Sequence, residues 1–166
     1  MNDHAEHSTE KRTWDGIGPR LALLTIPYVV LAIVLAHKDP GFLAMTFLNP
    51  SYATPVGYCL IIIGLVFWGA SAVVFLTDFK HGGLITRGPF ALCRNPIYAS
   101  IIVFLLPGLT LMFQSGVVLS IDLVLYLNFK LAIHGEVILL RREFGTAYDA
   151  YENNVHELFP FPKLTK

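Results

Sequence analysis

The stretch that decides the fold is VGYCLIIIGLVFWGASAVVFLT, which runs from Val56 to Thr77 without a charged residue. A helix of about 20 apolar residues spans the hydrocarbon core of a bilayer. A helix is the expected form, because backbone groups left unpaired in lipid are too costly for an open chain. Further runs of the same character predict an all-α polytopic membrane protein with about four transmembrane helices. These runs are Ile17 to Ala36, Ile97 to Phe113 and Gly116 to Ile133.

The overall composition agrees with a membrane location. Hydrophobic residues make up 54% of the chain and charged residues only 14%, whereas about a quarter of an ordinary soluble domain is charged. The 12 basic residues are balanced by 12 acidic ones, so no excess positive charge is available to attract nucleic acid. Cys59 and Cys93 are too far apart for a local zinc or redox motif, and we interpret both as reduced thiols.

The distribution of basic residues predicts the orientation in the membrane. Three basic residues lie before or within the first turn of the first span and three lie between the second and third spans, whereas the first connection carries only Lys38. Five more follow from Lys130 onward. Because basic segments tend to stay on the cytoplasmic side, we predict that both termini and the 78–96 loop are cytoplasmic. The short loops fit a bacterial inner membrane, which is the expected location.

Several local features refine this outline. Pro27 in the first run and Pro107-Gly108 in the third predict kinks or close packing. The short apolar segment Phe42 to Leu48 is expected to rest at the outer interface or to re-enter the membrane. After the fourth span, apolar residues at steps of three or four predict a cytoplasmic amphipathic helix interrupted by Gly145. Its stripe comprises Glu136, Leu140, Phe144, Tyr148, Tyr151 and Val155.

The most informative polar segment is the second connection, HGGLITRGPFALCRNPIY, from His81 to Tyr98. It places arginines, prolines and a tyrosine at the mouth of the third span. Each residue has a purely structural explanation, since arginines set topology, prolines form turns and helix starts, and interfacial tyrosines form an aromatic belt. On physical grounds alone this structural interpretation is favoured.

The joint pattern of two segments changes that balance. RGPFALCRNPIY, from Arg87 to Tyr98, is followed by EVILLRREFGTAYDAYENNV, from Glu136 to Val155, and then by FPFP. Together they resemble the isoprenylcysteine carboxyl methyltransferase and phospholipid (phosphatidylethanolamine) N-methyltransferase family of integral membrane methyltransferases. The resemblance covers about half the chain, roughly from Leu84 to Pro162, and the first two spans contribute only hydropathy.

The resemblance implies a cofactor and its contacts. In that family, matching loop and helix segments bind S-adenosylmethionine in a pocket capped by the C-terminal lobe. Residue by residue, this implies cofactor contacts for Arg94, Pro96, Tyr98 and Glu136, of which Glu136 and Arg94 are also candidate catalytic residues with no base assigned. The remaining candidate cofactor-binding residues are Arg87, Gly88, Pro89, Asn95, His134 and Tyr148.

Two positions depart from the family pattern. Asn95 stands where many carboxyl methyltransferases have histidine, although an Asn-Pro-x-Tyr sequence resembles the phospholipid methyltransferases. Val137 replaces the second of two paired glutamates, which bears on the affinity for the cofactor. Hydropathy and the resemblance together divide the chain into a polar cytoplasmic tail (1–16), two transmembrane helices with an outer loop (17–77), and a methyltransferase-like cofactor-binding region (78–166).

The implied residue types suit the chemistry of S-adenosylmethionine. An arginine fork matches the carboxylate of the cofactor, a glutamate matches its ammonium or ribose, and a tyrosine face stabilises a sulfonium or stacks on adenine. Methyl transfer requires alignment and exclusion of water rather than a metal or a covalent nucleophile. We therefore assign no metal, and we interpret His4 and His7 as part of a solvated tail.

The sequence leaves the acceptor open. It is expected to be a lipid-like molecule that arrives from the membrane, such as a prenylated cysteine carboxylate, a phosphatidylethanolamine amine or another amphiphile. Asp122 is an ionisable residue within the fourth span and is suspect for that reason. Its predicted place near the outer face favours an interfacial or helix-packing role.

Two other classes of function remain. An NADPH-dependent membrane reductase of the sterol type has a similar C-terminal architecture, but it needs a larger basic pocket than this short chain offers. A non-enzymatic membrane subunit or small transporter would not need the Arg94 to Tyr98 loop together with Glu136. Binding of a methyl-donor analogue or of NADPH distinguishes these alternatives.

Overall fold

The computed structural model describes residues 17–39, 41, 43–78, 83–161 and 163. Within these residues, four helices are long and apolar enough to cross a membrane, and no strand occurs. The predicted all-α polytopic fold is therefore confirmed. The tail 1–16, with His4 and His7, and His81 lie outside the described residues. The long helices are α1 (Ile17–Lys38), α2 (Pro50–Asp78), α3 (Pro96–Phe113) and α4 (Gly116–Phe144), followed by the short α5 (Thr146–Asn154).

The largest difference from the sequence prediction is the end of α4. The apolar run was expected to end at Ile133 and a separate helix to follow, but α4 continues without a break to Phe144. Hydropathy reports where lipid contact ends, whereas a helix ends at a breaker, and the breaker here is Gly145 with a φ of 52°. The predicted interruption at Gly145 is confirmed, and the predicted amphipathic stripe is divided between α4 and α5.

The third span is irregular in its first half. Residues Ser100–Leu105 form a π-helical segment just before Pro107, which has no N–H to donate to the preceding turn. The Ser100 hydroxyl donates to the Pro96 carbonyl at 2.7 Å and the Thr110 hydroxyl to the Leu106 carbonyl at 2.9 Å. Such π segments often occur at functional sites.

Helices α2 and α3 approach each other closely at two glycines. A Cβ placed on Gly57 would lie 2.7 Å from the Gly108 carbonyl oxygen, and one on Gly108 would lie 2.9 Å from the Gly57 carbonyl oxygen. Small residues permit such backbone contact, and van der Waals packing then holds membrane helices together. The close packing predicted for Pro107-Gly108 is therefore confirmed.

One end of the bundle is tied together by its connections. The Gly116 amide donates to the Leu43 carbonyl at 2.8 Å, and the Met45 amide donates to the Gln114 carbonyl at 2.8 Å. A Cβ on Gly116 would lie 2.7 Å from the Leu43 carbonyl oxygen, so this position requires glycine. The described residues 43–48 thus form turns against the α3–α4 connection rather than a further crossing helix.

The buried core lies toward the opposite end, where α1, α3 and α4 meet. Phe129 and Ala99 are fully buried there, and an Asn128 amide donates to the Thr25 hydroxyl at 3.1 Å between α4 and α1. Cys93 from the α2–α3 loop and Leu158 from the C-terminal segment belong to the same core. The loop between α2 and α3 and the C-terminal segment, which carry part of the candidate site, therefore pack against this core.

Candidate active site

The α2–α3 loop is fixed by the C-terminal segment of the chain. The Arg94 amide donates to the His156 carbonyl at 2.8 Å and the Asn95 amide to the Glu157 carbonyl at 3.1 Å. The Asn95 side chain adds a further hydrogen bond to the same Glu157 carbonyl at 3.2 Å. This pairing fixes the backbone that carries the Arg94 side chain and brings the two motif segments together in space.

Arg94 lies at the centre of the site. Its side chain is only 10% exposed, and its Nη1 donates to Glu152 Oε1 at 2.6 Å and to the Tyr148 hydroxyl at 3.1 Å. Its Nε is buried and donates no hydrogen bond to any residue that the structure describes. A buried guanidinium N–H without an acceptor is costly, so this edge of Arg94 is the one suited to an external acceptor.

Glu152 was not predicted from the sequence, yet it is the main partner of Arg94. Arg141 also donates to Glu152, and it donates to Asp149 at 2.9 Å. Burial alone would raise the pKa of Glu152, but the hydrogen bonds and charges of Arg94 and Arg141 hold that pKa below its ordinary value. Glu152 is therefore ionised at neutral pH and serves as the resident counter-ion of Arg94.

The aromatic side of the site consists of Tyr148 and Tyr151 from α5. Tyr148 is 2% exposed; burial raises the pKa of its hydroxyl, Arg94 opposes the increase, and the charges of Glu152 and Glu136 add to it. Tyr151 donates its hydroxyl to the Phe90 carbonyl at 2.6 Å. Both hydroxyls are therefore protonated near neutral pH; that of Tyr148 accepts a hydrogen bond from Arg94, whereas that of Tyr151 donates one.

Glu136 and Tyr98 complete the group. Glu136 lies on α4 close enough to interact electrostatically with both Tyr98 and Tyr148. The Tyr98 ring packs on Phe129 with centroids 5.3 Å apart, and its hydroxyl lies near Gly18 at the start of α1. The structure thus brings a cation, a carboxylate and aromatic rings together from α3, α4, α5 and the loop between α2 and α3.

Other predicted residues have different surroundings. Arg87 is 68% exposed and pairs with Asp78 at the end of α2, and the hydrogen bond to Asp78 raises the pKa of Arg87. Gly88 has a φ of 59°, and the buried Pro89 begins a short 3-10 turn, Gly88–Ala91. Pro96 is buried at the start of α3. His134 is exposed, with its Nδ1 2.9 Å from the Lys130 carbonyl oxygen.

Glu152 carried a weak sequence signal. It lies four residues after Tyr148, so the two side chains share one face of α5, but the spacing does not reveal that this face turns toward Arg94. The buried thiol of Cys93 is a second surprise, since burial raises its pKa to about 12 and it packs as an apolar residue. In the described ranges no group of three side chains suited to a metal ion occurs.

The sequence of this chain is similar to those of two named proteins. A probable protein-S-isoprenylcysteine O-methyltransferase from Oryza sativa subsp. indica is 27% identical over 152 residues, covering 84% of this chain and 80% of the relative. The probable protein-S-isoprenylcysteine O-methyltransferase from Oryza sativa subsp. japonica is similar to the same extent. The predicted resemblance to the isoprenylcysteine methyltransferase group is confirmed.

The resemblance to the isoprenylcysteine methyltransferase group is also longer than predicted. We expected it to cover about half the chain, whereas the match covers 84% and therefore includes part of the first two spans. Neither a family model nor a solved structure matches the chain.

Proposed function

We propose that this protein is an S-adenosylmethionine-dependent membrane methyltransferase that transfers a methyl group to a lipid-like acceptor. The single observation that carries the proposal is Arg94, a buried guanidinium whose Nε has no acceptor among the described residues. The similarity to rice proteins named for methyl transfer to isoprenylcysteine supports the same reaction class.

The residues around Arg94 fit the amino acid part of the cofactor. Nη1 is already engaged by Glu152 and Tyr148, which leaves the edge that contains Nε for a second carboxylate. A guanidinium edge and a carboxylate form two parallel charge-assisted hydrogen bonds. The carboxylate of S-adenosylmethionine would satisfy the buried donor that the protein itself leaves unsatisfied.

Glu136 and the tyrosines fit the rest of the cofactor. A carboxylate such as Glu136 would hold the ammonium or a ribose hydroxyl, and the ring faces of Tyr98 and Tyr148 would stabilise positive charge by cation–π attraction. Tyr148 already lies with its ring centroid 6.0 Å from the Arg94 guanidinium carbon. The resident Glu152 balances the charge of Arg94, so that binding the zwitterionic amino acid part of the cofactor adds no net charge beside Arg94.

The role of the protein in the reaction is positioning. Bound S-adenosylmethionine would supply an electrophilic methyl group on its sulfonium sulfur. When the acceptor atom bonds to the methyl carbon, the bond from that carbon to sulfur breaks and the sulfur leaves as a neutral thioether. An acceptor carboxylate oxygen is already deprotonated near neutral pH, whereas an amine must first lose a proton. For an amine acceptor, Glu136 would accept this proton, and the aligned, dehydrated site would supply the remaining rate enhancement.

We further propose that the end of the bundle with Arg94 and Glu136 faces the cytoplasm, as the basic loops indicate, in a bacterial inner membrane. The acceptor then reaches the site through the membrane while the water-soluble cofactor enters from the cytoplasm. Either an isoprenylcysteine carboxylate, as in the names of the rice relatives, or a phospholipid amine satisfies this arrangement.

Calorimetric titration of the detergent-purified protein with S-adenosylhomocysteine, and separately with NADPH, tests the proposal. We expect saturable binding of S-adenosylhomocysteine that falls at least tenfold in Arg94→Lys, which keeps the charge but loses the planar fork, and in Glu136→Gln. Arg87→Lys is the matched control and should bind like the wild type, because Arg87 pairs with Asp78. Binding of NADPH alone would indicate a reductase, and binding of neither ligand would contradict the proposal.

A further inference from the structure

A groove between α3 and α4 is separate from the Arg94 cluster and has a different character. It contains a cavity of about 290 Å³ whose walls include Ile102 and Val103 from α3 and Leu119 and Leu123 from α4, with Leu158 and Phe159 from the C-terminal segment. Leu119, Leu123 and Phe159 are also exposed on the outer surface of the bundle. The groove is therefore accessible from the side that faces lipid.

One ionisable side chain interrupts these apolar walls. Asp122 lines the cavity, and its Oδ1 is buried without accepting a hydrogen bond from any described residue. The helix-packing role expected from the sequence would have given this oxygen a donor on a neighbouring helix. A carboxylate oxygen held against apolar walls is costly unless a donor reaches it, so Asp122 calls for a donor supplied by a bound molecule.

The groove continues along α4 toward the candidate active site. A second cavity of about 160 Å³ shares Tyr126, Leu158 and Phe159 with the first and adds Lys130, His156 and Glu157. Asp122 and Lys130 are eight positions apart in the sequence, which corresponds to about 12 Å along the helix. The His156 and Glu157 carbonyls at its polar end accept hydrogen bonds from Arg94 and Asn95.

The two ends of the groove therefore differ in chemistry. The Lys130 ammonium donates to Glu157 at 2.8 Å and is 42% exposed, so it remains accessible to an anionic or polar head group. Between Lys130 and Asp122 the lining is apolar apart from the Tyr126 hydroxyl. An unsubstituted hydrocarbon chain would fill this space but would leave Asp122 without a donor.

We propose that the groove binds the methyl acceptor from the side of the membrane, and that this acceptor carries a hydrogen-bond donor, a hydroxyl or protonated amine, about 12 Å from its head group. This inference rests on the proposed function and narrows its substrate class to amphiphiles with a donor on the chain, which excludes plain isoprenyl chains and unsubstituted acyl chains. The head group lies beside the segment bonded to Arg94 and Asn95, the apolar chain lies between α3 and α4, and the donor of the chain bonds to Asp122.

A matched set of fatty acids tests this inference without any methyl transfer. Native mass spectrometry of the detergent-solubilised protein would measure binding of stearate and of stearate hydroxylated at its tenth carbon or at its second carbon. We expect the wild type to prefer the mid-chain hydroxyl over stearate by about tenfold, the effect of one hydrogen bond. Hydroxylation at the second carbon should give no such preference.

Variants at Asp122 assign that preference to the carboxylate. Asp122→Val should bind stearate and the mid-chain hydroxystearate equally, whereas Asp122→Asn, which still offers an acceptor oxygen, should keep most of the preference. Ser120→Ala is the control on the same helix and should behave like the wild type. No preference in the wild type, or an unchanged preference in Asp122→Val, would overturn the inference.

The same samples distinguish failure of this inference from failure of the proposed function. Asp122→Val should bind S-adenosylhomocysteine like the wild type, because the Arg94 site does not include Asp122. Absence of S-adenosylhomocysteine binding in the wild type would contradict the proposed methyltransferase, whereas the comparison of fatty acids decides only the role of Asp122.

Discussion

At the scale of single residues, the site is a charge network with one open position. Arg94 is held by Glu152 and Tyr148, and Glu152 is held in turn by Arg141. This arrangement fixes the guanidinium before any ligand arrives, which lowers the entropy that binding would otherwise cost. Under the proposed function, the unsatisfied Nε is a preformed binding group.

Replacing Glu152 by glutamine should destabilise the protein by about 1–3 kcal/mol, because Arg94 stays buried with a weaker acceptor. Thermal unfolding in detergent measures the change. Asp149→Asn is the matched control, since Asp149 also pairs with Arg141 but both side chains are about half exposed and such pairs contribute about 1 kcal/mol or less. An equal effect of both substitutions would contradict the central place of Glu152.

The stability that Glu152 supplies should depend on pH in a definite direction. Arg94 and Arg141 hold the pKa of Glu152 below its ordinary value of 4.5, so its contribution is complete above that value and is lost as pH falls through the lower folded-state pKa. The difference in Tm between wild type and Glu152→Gln should be constant near neutral pH and narrow below about pH 4. A difference in Tm that widens as the pH falls would show that the pKa of Glu152 is not lowered in the folded protein.

At the scale of helices, the sequence predicted the features that hydropathy determines and missed those that depend on where the chain turns back on itself. The number and order of spans follow from the apolar runs. Pro107-Gly108 indicates a kink or close packing, but it does not identify α2 as the helix that it contacts. The length of α4 does not follow from the apolar runs, because the fourth run ends near Ile133 while the helix continues to Phe144. The position of α5 depends on the turn at Gly145, whose direction no local pattern encodes.

The close crossing of α2 and α3 predicts a sharp difference between two glycines. Gly108→Ala should destabilise the protein by about 1–3 kcal/mol, because the new methyl group would lie 2.8 Å from Ile61 Cγ1 and 2.9 Å from the Gly57 carbonyl oxygen. Gly69→Ala meets nothing within 4 Å and should be neutral or slightly stabilising, since alanine favours the helix. Unfolding midpoints in detergent compare the two, and similar losses would contradict the packing described.

At the scale of the whole molecule, helices of the membrane bundle also carry residues of the candidate site. Helix α4 has 29 residues, about 43 Å at 1.5 Å per residue, so it is longer than the roughly 30 Å hydrocarbon core. Its second half carries Glu136, which interacts with Tyr98 and Tyr148. The predicted set Arg94, Tyr98, Glu136 and Tyr148 lies together in the structure. Their assignment as cofactor contacts remains a proposal, because proximity alone does not identify a ligand.

The parts of the site that the sequence did not reveal share one physical cause. Glu152 and the C-terminal segment reach the loop through backbone pairing of Arg94 and Asn95 with His156 and Glu157. Such pairing uses main-chain groups that nearly every residue has, so no pattern of side chains predicts it. The Asn95 side chain likewise supports the Glu157 carbonyl, a contact that the family resemblance did not imply.

The most direct test of the account is transfer of a labelled methyl group. Membranes containing the protein would be incubated with S-adenosylmethionine that carries tritium in its methyl group, and label in the organic extract would be compared for wild type, Arg94→Lys and Arg87→Lys. We predict extractable label for the wild type and Arg87→Lys, and at least a tenfold loss for Arg94→Lys. Label no greater than in membranes without the protein, or equal label with Arg94→Lys, would contradict the account.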